Sequence, residues 1–315
     1  GAVVVQPGYN CNAFDNHMWL PDAAPKLAVQ GPPGMDQHNG VPFNNTDIYL
    51  ARARLSAKLT EGLTATLVTG YFNFESRGQD FYGYGGTTGV GTDLNHNKIE
   101  QFTQEIRFSS DSKGPFNWMV GAFYEHRDIL FEAAQNAVNI AFLARDPITG
   151  SSFDWRRLHF TKGDAYSGFA SFTYEFAGAL ELSGGVRYTK EEKSNHIEVP
   201  YVHAALSAPP FNFIRSGFQS PLIKFTDDNW SPEVTLKYNI SPDAQFYGAY
   251  KKGFKSGGID NSALPSSGLS KIVQSGNYSS LMFGSETAEG FELGFKGMLA
   301  DRRLRLNASA YTYNF

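Results

Sequence analysis

The 315-residue sequence has a single cysteine, Cys11, so no disulfide can form within the chain. Charged residues make up only 18% of it, and the net charge of -4 is small for this length. This balance does not favour nucleic-acid binding, which relies on a strongly basic surface. No apolar run reaches the roughly 18 residues that suggest a transmembrane helix. The chain must therefore fold without disulfides and without a membrane-spanning helix.

Patterns of residues that could support catalysis or metal binding are also absent from the sequence. Residues 1–47 are rich in proline, glycine, asparagine and aspartate and show no hydrophobic period, which predicts a long loop. This segment contains His17 and His38, with Asp15 and Asp36 nearby, but their spacing matches no metal-ligand motif, so solvated loop residues are the better interpretation. No nucleophile elbow accompanies the histidines elsewhere. The sequence therefore predicts no enzyme, no cofactor and no metal site.

What the sequence has in abundance is alternation. The clearest case is Ser231–Gly258, where two runs flank a turn that contains Pro242 and Asp243. In each run every second residue is apolar and most residues between are polar, so each run has one apolar and one polar face. Pro242 pre-sets its φ for a turn, and Asp243 can bond its own backbone. We predict an antiparallel hairpin whose first apolar face is formed by Val234, Leu236 and Tyr238 and whose second is formed by Phe246, Gly248 and Tyr250.

The same alternation recurs along the chain and predicts an all-β fold of about ten strands in five hairpins. Long alternating strands with short turns at one end, long loops at the other and aromatic strand ends are typical of an antiparallel transmembrane β-barrel. A soluble β-sandwich or propeller is the alternative, but its strands are usually shorter, about 5–6 residues. The short turns are expected at Thr60–Gly62, Ser110–Pro115, Ala177–Ala179, Asn239–Asp243 and Leu299–Arg302.

The polar positions of these strands predict a charged inner wall. Both signs alternate along it, so neighbouring strands can pair ions across the ladder. A lumen filled by a folded domain needs such polar contacts, and an open porin uses similar residues, so the pattern leaves both possible. The inward residues are Arg52, Arg54, Lys58, Glu105, Arg107, Glu125, Glu175, Arg187, Glu233, Lys237, Glu292, Lys296, Arg303 and Arg305.

Four stretches carry a resemblance to a known family. They are FTQEIRFSSDSKGPFNWMVGAFYEH (102–126), SGGVRYTKEEK (183–193), SPEVTLKYNISPDAQFYGAYKKGFKSGG (231–258) and ETAEGFELGFKGMLADRRLRLNASAYTY (286–313). In this order they resemble the C-terminal barrel of TonB-dependent outer-membrane receptors, the active-transport porins of Gram-negative bacteria. The resemblance extends over most of residues 48–315.

The family barrel has about 22 strands around a plugged lumen, whereas this sequence supplies about ten. The family's N-terminal plug with its TonB box and its final strands have no counterpart here. The resemblance therefore implies an internal part of a longer protein, with residues 1–47 as a long extracellular loop region and residues 48–315 as part of the barrel domain. The first and last strands, Tyr49–Leu59 and Arg303–Phe315, are expected to be the edges of an open, curved wall.

The resemblance also implies a function, which is energy-coupled uptake of a scarce, bulky ligand across the outer membrane of a Gram-negative bacterium. The ligand class stays open between a siderophore complex, cobalamin and a glycan. A passive porin is the alternative, and an outer-membrane enzyme or adhesin is a third hypothesis.

The implied partners are outer-membrane lipid and lipopolysaccharide, the small-molecule ligand, and TonB through the missing N-terminal part. Ligand contact is expected at the extracellular mouth, where rigid aromatic faces give a large contact area at little entropic cost. The candidates are Phe81, Tyr82, Tyr84, Phe153, Trp155, Phe211, Phe213 and Tyr278, with packing between loops as the alternative role for each.

Overall fold

The computed structural model of the chain describes residue 35 and residues 43–81, 92–136, 145–151, 153–176 and 178–315, with only the backbone described at 80, 81, 92 and 136. The long strands are β1 (Phe43–Thr60), β2 (Leu63–Phe81), β3 (Thr92–Ser110), β4 (Phe116–Asn136), β5 (Trp155–Phe176), β6 (Leu180–Val202), β8 (Ile223–Ser241), β9 (Ala244–Lys255), β12 (Glu286–Leu299) and β13 (Leu304–Asn314). Short strands β7 (Phe218–Gln219), β10 (Gly258–Ile259) and β11 (Met282–Phe283), helices α1 (Ala204–Ser207) and α2 (Ser267–Ser275), and a 3-10 turn (Tyr278–Leu281) lie between them.

The long strands form one antiparallel sheet in the order β1-β2-β3-β4-β5-β6-β8-β9-β12-β13. Each strand therefore pairs with the long strand that precedes or follows it along the chain, which is the simplest up-and-down topology. The five predicted hairpins are confirmed as β1–β2, β3–β4, β5–β6, β8–β9 and β12–β13.

The short turns lie side by side at one end of the sheet. Backbone hydrogen bonds join the turns of adjacent hairpins, from Asp111 N to Gly62 O (2.9 Å) and from Met298 N to Asp243 O (2.8 Å). The last turn contains three consecutive left-handed residues, Ala300, Asp301 and Arg302. Such a conformation is uncommon for residues other than glycine, and the Arg302 guanidinium stabilises it by donating to the Asp243 carboxylate at 2.6 and 3.0 Å. The prediction that the short turns share one end is confirmed for the described residues, with Ala177 of the third turn lying outside them.

The strands extend further toward the loop end than alternation predicts. The first strand already begins at Phe43, so that residues 43–47, assigned from sequence to the N-terminal loop region, belong to β1. The outward apolar residues of β6 end at Tyr188, yet pairing continues to Val202. Beyond Tyr188 the outward positions become charged, as at Lys190, and the apolar residues Ile197 and Val199 lie on the inward face instead.

Two aromatic rows frame the outward, apolar face of the sheet. At the loop side, cross-strand pairs stack as Tyr124 on Tyr166, with ring centroids 5.2 Å apart, and Tyr188 on Trp230, with 4.9 Å. At the turn side, Phe116 packs near Tyr174, with centroids 6.5 Å apart. The eight residue steps from Tyr166 to Tyr174 span about 26 Å along the strand, or roughly 20 Å at the usual strand tilt, comparable with the apolar band of about 25 Å in membrane barrels. We take the stretches between the two rows as the membrane-spanning segments.

The sheet is open. Within the residues that the structure describes, β1 pairs with β2 alone and β13 pairs with β12 alone, and no ladder joins β1 to β13. The expected open wall is thereby confirmed, and closure into a small ten-stranded barrel does not occur. Across the same described part of the chain, no helix has the length and hydrophobicity needed to cross a membrane.

The outward face gives a direct test of which solvent it meets. Val234 lies midway between Trp230 and Tyr238 and is 42% exposed. We expect Val234→Arg to destabilise the full-length protein by about 2–4 kcal/mol, the range measured for a cation at the bilayer midplane. Urea unfolding of the protein folded into lipid vesicles measures this. Thr235→Arg, one residue along on the inward face, is the matched control and should cost much less. Equal costs would contradict a lipid-facing surface.

Candidate functional site

The residues predicted to line a lumen share one face of the sheet, because antiparallel pairing carries side-chain orientation from strand to strand. Arg54 pairs with Val68, which in turn pairs with Glu105. Glu181 pairs with Glu175 on one side and with Lys237 on the other. The same register places on this face Arg52, Arg107, Arg187, Glu233, Glu292, Lys296 and Arg305. Arg303 differs, since it lies in the turn before β13 rather than in the strand.

Ion pairs form on this inner face, but only some of them cross between strands. The Lys237 ammonium lies 2.6 Å from the Glu181 carboxylate on the neighbouring strand. Arg107 instead pairs within its own strand, 3.3 Å from Glu105. Such half-exposed pairs are each worth little, about 0–1 kcal/mol. Their effect is to neutralise charge on a polar wall rather than to hold it together.

Arg187 is held by aromatic rings instead of a carboxylate. Its guanidinium carbon lies 5.1 Å from the centroid of Phe123 and 5.5 Å from that of Phe169, within cation–π range. Its Nη2 donates to Ser167 Oγ at 2.9 Å. The Phe169 ring lies over Gly121, where a Cβ would come within 2.4 Å of a ring carbon. Phe169 breaks the alternation of its strand, and that exception was the sequence signal for this cluster.

A second cluster repeats the arrangement on β9 and β12. The Tyr247 ring lies over Gly294, where a Cβ would be 2.3 Å from it. The Tyr247 hydroxyl donates to Glu292, and the Lys296 ammonium lies 5.2 Å from the ring centroid. Both clusters combine a glycine, an aromatic ring and a cation on the inner face. They place flat aromatic rings and positive charge side by side on the inner face.

Toward the loop end the inner face becomes apolar and is covered by the chain itself. Trp155, Ile197 and Ile223 face inward there and are at most 6% exposed. Residues 258–283, which we call the lid, contribute Ile259, Leu269 and Leu281 to the same buried cluster, and the loop between β6 and β7 adds Leu206 and Ile214. The lid therefore folds over the inner wall of β5, β6 and β8 at the loop end.

Both ends of the lid are clamped where it leaves the sheet, at residues 256–257 and 284–285, which we call the neck. The Asp227 carboxylate accepts from Gly257 N at 3.0 Å and from Ser285 Oγ at 2.6 Å, so one side chain binds both ends. The Lys193 ammonium donates to Gly257 O at 2.7 Å and to Ser256 Oγ at 3.0 Å. A Cβ at position 257 would lie 2.3 Å from Phe283 O, so the neck requires glycine there.

Two inward side chains of β5 hold the part of the lid beyond the β10–β11 pair, residues 260–281, which we call its tip. Arg157 Nη1 donates to Ser262 O at 2.5 Å, and His159 Nε2 lies 3.2 Å from Ala263 O. Both acceptors are backbone carbonyls, which no sequence pattern specifies. These side chains, like Asp227 and Lys193, escaped the sequence analysis because a polar inward residue looks the same whether it meets water or a loop.

The predicted ligand-contact aromatics are largely packed into the protein. Phe153 is fully buried with Leu94, Ala134 and Tyr201. Trp155 and Phe213 pack on each other in the lid cluster, with ring centroids 5.8 Å apart, and Tyr278 lies beside them. Phe211 is exposed at 41%. Phe81 is described only by its backbone, and Tyr82 and Tyr84 lie outside the described residues. The structure thus packs four of them against strands and the lid, while ligand contact stays a prediction.

The loop before β5 is organised around one carboxylate. Asp146 accepts from the backbone N–H of Ile148 (2.8 Å), Thr149 (3.0 Å) and Ala204 (2.9 Å). Burial raises the pKa of this carboxyl, but the three N–H donors outweigh it, so that the pKa lies below its usual value. Within the described part of the chain, no group of three or more His, Cys, Asp or Glu is placed to hold a metal ion.

The glycine beneath Phe169 yields a second prediction. We expect Gly121→Ala to cost about 1–3 kcal/mol of stability, the usual cost of overpacking, because the new Cβ collides with the ring. Adding Phe169→Ala should recover only part of this, since Ile106 O also lies 2.8 Å from the Cβ position. Urea unfolding in lipid vesicles measures both variants.

Gly168 is the matched control, because a Cβ there meets nothing within 4 Å. Gly168→Ala should change stability by less than about 0.5 kcal/mol. If both alanine variants behave alike, the ring over Gly121 does not constrain the wall.

A family model described as "TonB dependent receptor-like, beta-barrel" matches residues 8–315. No curated protein matches the sequence. Among solved structures, the ferric yersiniabactin uptake receptor FyuA from Yersinia pestis aligns over 87% of this chain and 36% of its own, with 13% identity and a TM-score of 0.66.

Two receptors from Acinetobacter baumannii align similarly. The siderophore receptor PiuA has 14% identity and a TM-score of 0.60 over 90% of this chain and 43% of its own. The ferric preacinetobactin receptor BauA has 12% identity and a TM-score of 0.55 over 86% of this chain and 38% of its own. At such identities the likeness concerns the fold, and the chain spans less than half the length of these receptors.

Proposed function

The chain belongs to the TonB-dependent receptor-like β-barrel family, and on that premise we propose that it forms part of the wall of an outer-membrane receptor for energy-coupled ligand uptake. The single observation that carries the proposal is a two-faced wall that matches this family model over nearly its whole length. One face is apolar and bounded by aromatic rows, and the other is charged. A wall of this kind separates lipid from a polar interior.

The inner face supports a lumen that contacts a folded domain or a passing solute. Its charges are partly neutralised by pairs such as Lys237 with Glu181, and it carries aromatic–cation clusters around Arg187 and Tyr247. The proposed coupling partner is TonB, reached through a part of the protein that is N-terminal to the barrel in this family. The chain is proposed to act in transport and not as an enzyme.

The outward face supports a location in the outer membrane of a Gram-negative bacterium. Above the loop-side aromatic row the outward residues become charged, and they pair across strands, as His126 does with Asp164 (2.9 Å) and Lys162 with Asp128 (3.2 Å). Lipid hydrocarbon is the proposed neighbour below this row, and the head groups of lipopolysaccharide are the proposed neighbour at the level of these pairs.

The proposed ligand is scarce and bulky, in the class of a siderophore complex, cobalamin or a glycan, and it meets the protein at the loop end. The solved structures that this fold resembles include receptors for ferric siderophores, which makes a ferric siderophore the first class to test. Of the aromatic candidates with described side chains, Phe211 offers the most accessible ring.

Uptake by the full-length protein tests this function. Cells that lack their own receptors and express the full-length gene are supplied with radiolabelled ferric siderophores of catecholate and hydroxamate type, cobalamin and a maltodextrin. We expect concentrative uptake of one class, and its loss in the same cells without TonB. Uptake that persists without TonB and never exceeds the external concentration would establish the passive porin instead.

The same assay tests the mouth. Because one aromatic contact contributes about 0.5–1.5 kcal/mol, Phe211→Ala should raise the half-saturating ligand concentration about two- to tenfold at an unchanged maximal rate. Phe116→Ala is the matched control, since Phe116 is equally exposed at 47% but lies at the turn end on the outward face. An unchanged half-saturating concentration for Phe211→Ala would remove Phe211 from the ligand site.

A further inference from the structure

The neck and the tip of the lid are held by different kinds of contact. The neck is fixed by a carboxylate and an ammonium that each make two hydrogen bonds, Asp227 and Lys193. The tip is held by hydrogen bonds from Arg157, from His159 and from Ile214 N to Pro265 O (3.2 Å), and by apolar packing. Segments with few such contacts open at lower free energy than the sheet that carries them.

The closed lid also buries polar atoms that it does not satisfy. His159 and Asn195 are both 0% exposed beneath it. Because His159 Nε2 faces a carbonyl, it carries the proton, and Nδ1 is left as an acceptor. His159 Nδ1 and Asn195 Oδ1 have no hydrogen-bond partner within the described residues. An unsatisfied buried acceptor costs free energy that water returns when the site opens.

We propose that the lid is a hinged cover of the inner wall at the loop end, which is closed at neutral pH and undocks at its tip in acid. His159 is the titrating group and the neck is the fixed hinge. The inference goes beyond ligand uptake, since it concerns how this protein's own loop covers its inner wall and holds for any ligand.

The surroundings of His159 set the sign of the effect. Position 159 lies seven residues beyond Tyr166 toward the loops, outside the membrane-spanning segment of β5. Burial, and then the nearby Arg157 guanidinium, lower the pKa of its imidazole to about 4, against smaller opposing effects of the Ala263 carbonyl and of Asp260 on the lid. From β4 it faces the ring of Phe131, and from β6 it pairs with Ile197, neither of which carries charge.

Opening returns His159 to water, where its pKa is about 6.5. The closed state thus disfavours the proton, so its stability is fully present above about pH 6.5 and declines as the pH falls toward 4. Between pH 8 and pH 5 the equilibrium constant for opening should rise about 30-fold, equivalent to about 2 kcal/mol.

Amide hydrogen exchange of the full-length protein in lipid nanodiscs measures this without a ligand. Exchange rates at pH 8 and pH 5 are each divided by the intrinsic rate at that pH. We expect the protection of lid amides in 258–283 to fall about 30-fold, in line with the two pKa values. The amides of β5 between Tyr166 and Tyr174 should stay protected at both pH values. Constant or rising lid protection in acid would overturn the proposal.

Two substitutions identify the titrating group. His159→Gln keeps an N–H that can reach the Ala263 carbonyl but does not titrate, so lid protection should become independent of pH. His196→Gln is the matched control, because His196 lies on the adjacent strand, faces outward and contacts Glu198 at 3.3 Å; the 30-fold fall should persist in it. If His159→Gln keeps the fall, another group is responsible and the proposal is wrong.

A direct measurement covers the case in which His159→Gln does not hold the lid. Nitrogen-15 NMR of histidine-labelled wild-type protein reports each imidazole, and the His159 signal is the one lost in the variant. In the closed protein it should be mostly neutral at pH 5.5. An imidazole that is already protonated there, with lid protection unchanged, would overturn the proposal. None of these readouts involves transport, so failure here leaves the proposed uptake function standing, and the reverse also holds.

Discussion

Hydrocarbon offers the peptide backbone no hydrogen-bond partner, and the structure depends on this constraint before any other. Each long strand from β2 to β12 satisfies its N–H and C=O groups by pairing with a strand on both sides, and the neighbours follow the order of the long strands along the chain. Once pairing is continuous, the only freedom left is which side chains point to which side. Alternation resolves that choice, because a one-residue slip would turn every lipid-facing residue inward and every inward residue, Lys237 among them, toward lipid. The antiparallel register is therefore shared by all ten strands.

Packing of aromatic rings over glycines organises the inner face as much as ion pairing does. Phe169 and Tyr247 can lie flat on the sheet only because Gly121 and Gly294 leave the room. The rings then place Arg187 and Lys296 over aromatic surface, where a cation is stabilised without a buried carboxylate. Exposed ion pairs elsewhere on the wall add little to stability. A polar wall built in this way can contact water, a folded domain or a solute without depending on one particular partner.

At the loop end a different balance applies. The inner positions of β5, β6 and β8 become apolar, as at Trp155 and Ile197, and the chain covers them with its own segment 258–283. That cover leaves His159 Nδ1 and Asn195 Oδ1 unsatisfied. The lid is thus stabilised by apolar burial and opposed by buried polar groups, so the free energy of its closure is a small difference between larger contributions. A small change in pH can therefore shift the equilibrium between the closed and the open lid.

The sequence by itself determined the fold class, the five hairpins, the end at which the short turns lie and the face on which Arg54, Glu105 and Lys237 sit. It did so because lipid on one side of the sheet imposes a strict two-residue period of apolar and polar residues, and this period can be recognised in a single sequence. It did not predict that β6 runs on to Val202, since beyond Tyr188 the outward residues become polar and the apolar ones, Ile197 and Val199, lie on the inner face, while pairing continues. Only the tertiary structure decided that Trp155 and Phe213 pack under a lid and that Arg157, His159, Lys193 and Asp227 hold it. Those contacts join side chains to backbone atoms as many as 105 residues apart, and a backbone carbonyl or N–H, being common to all residues, leaves no mark in the sequence of the partner that will bind it.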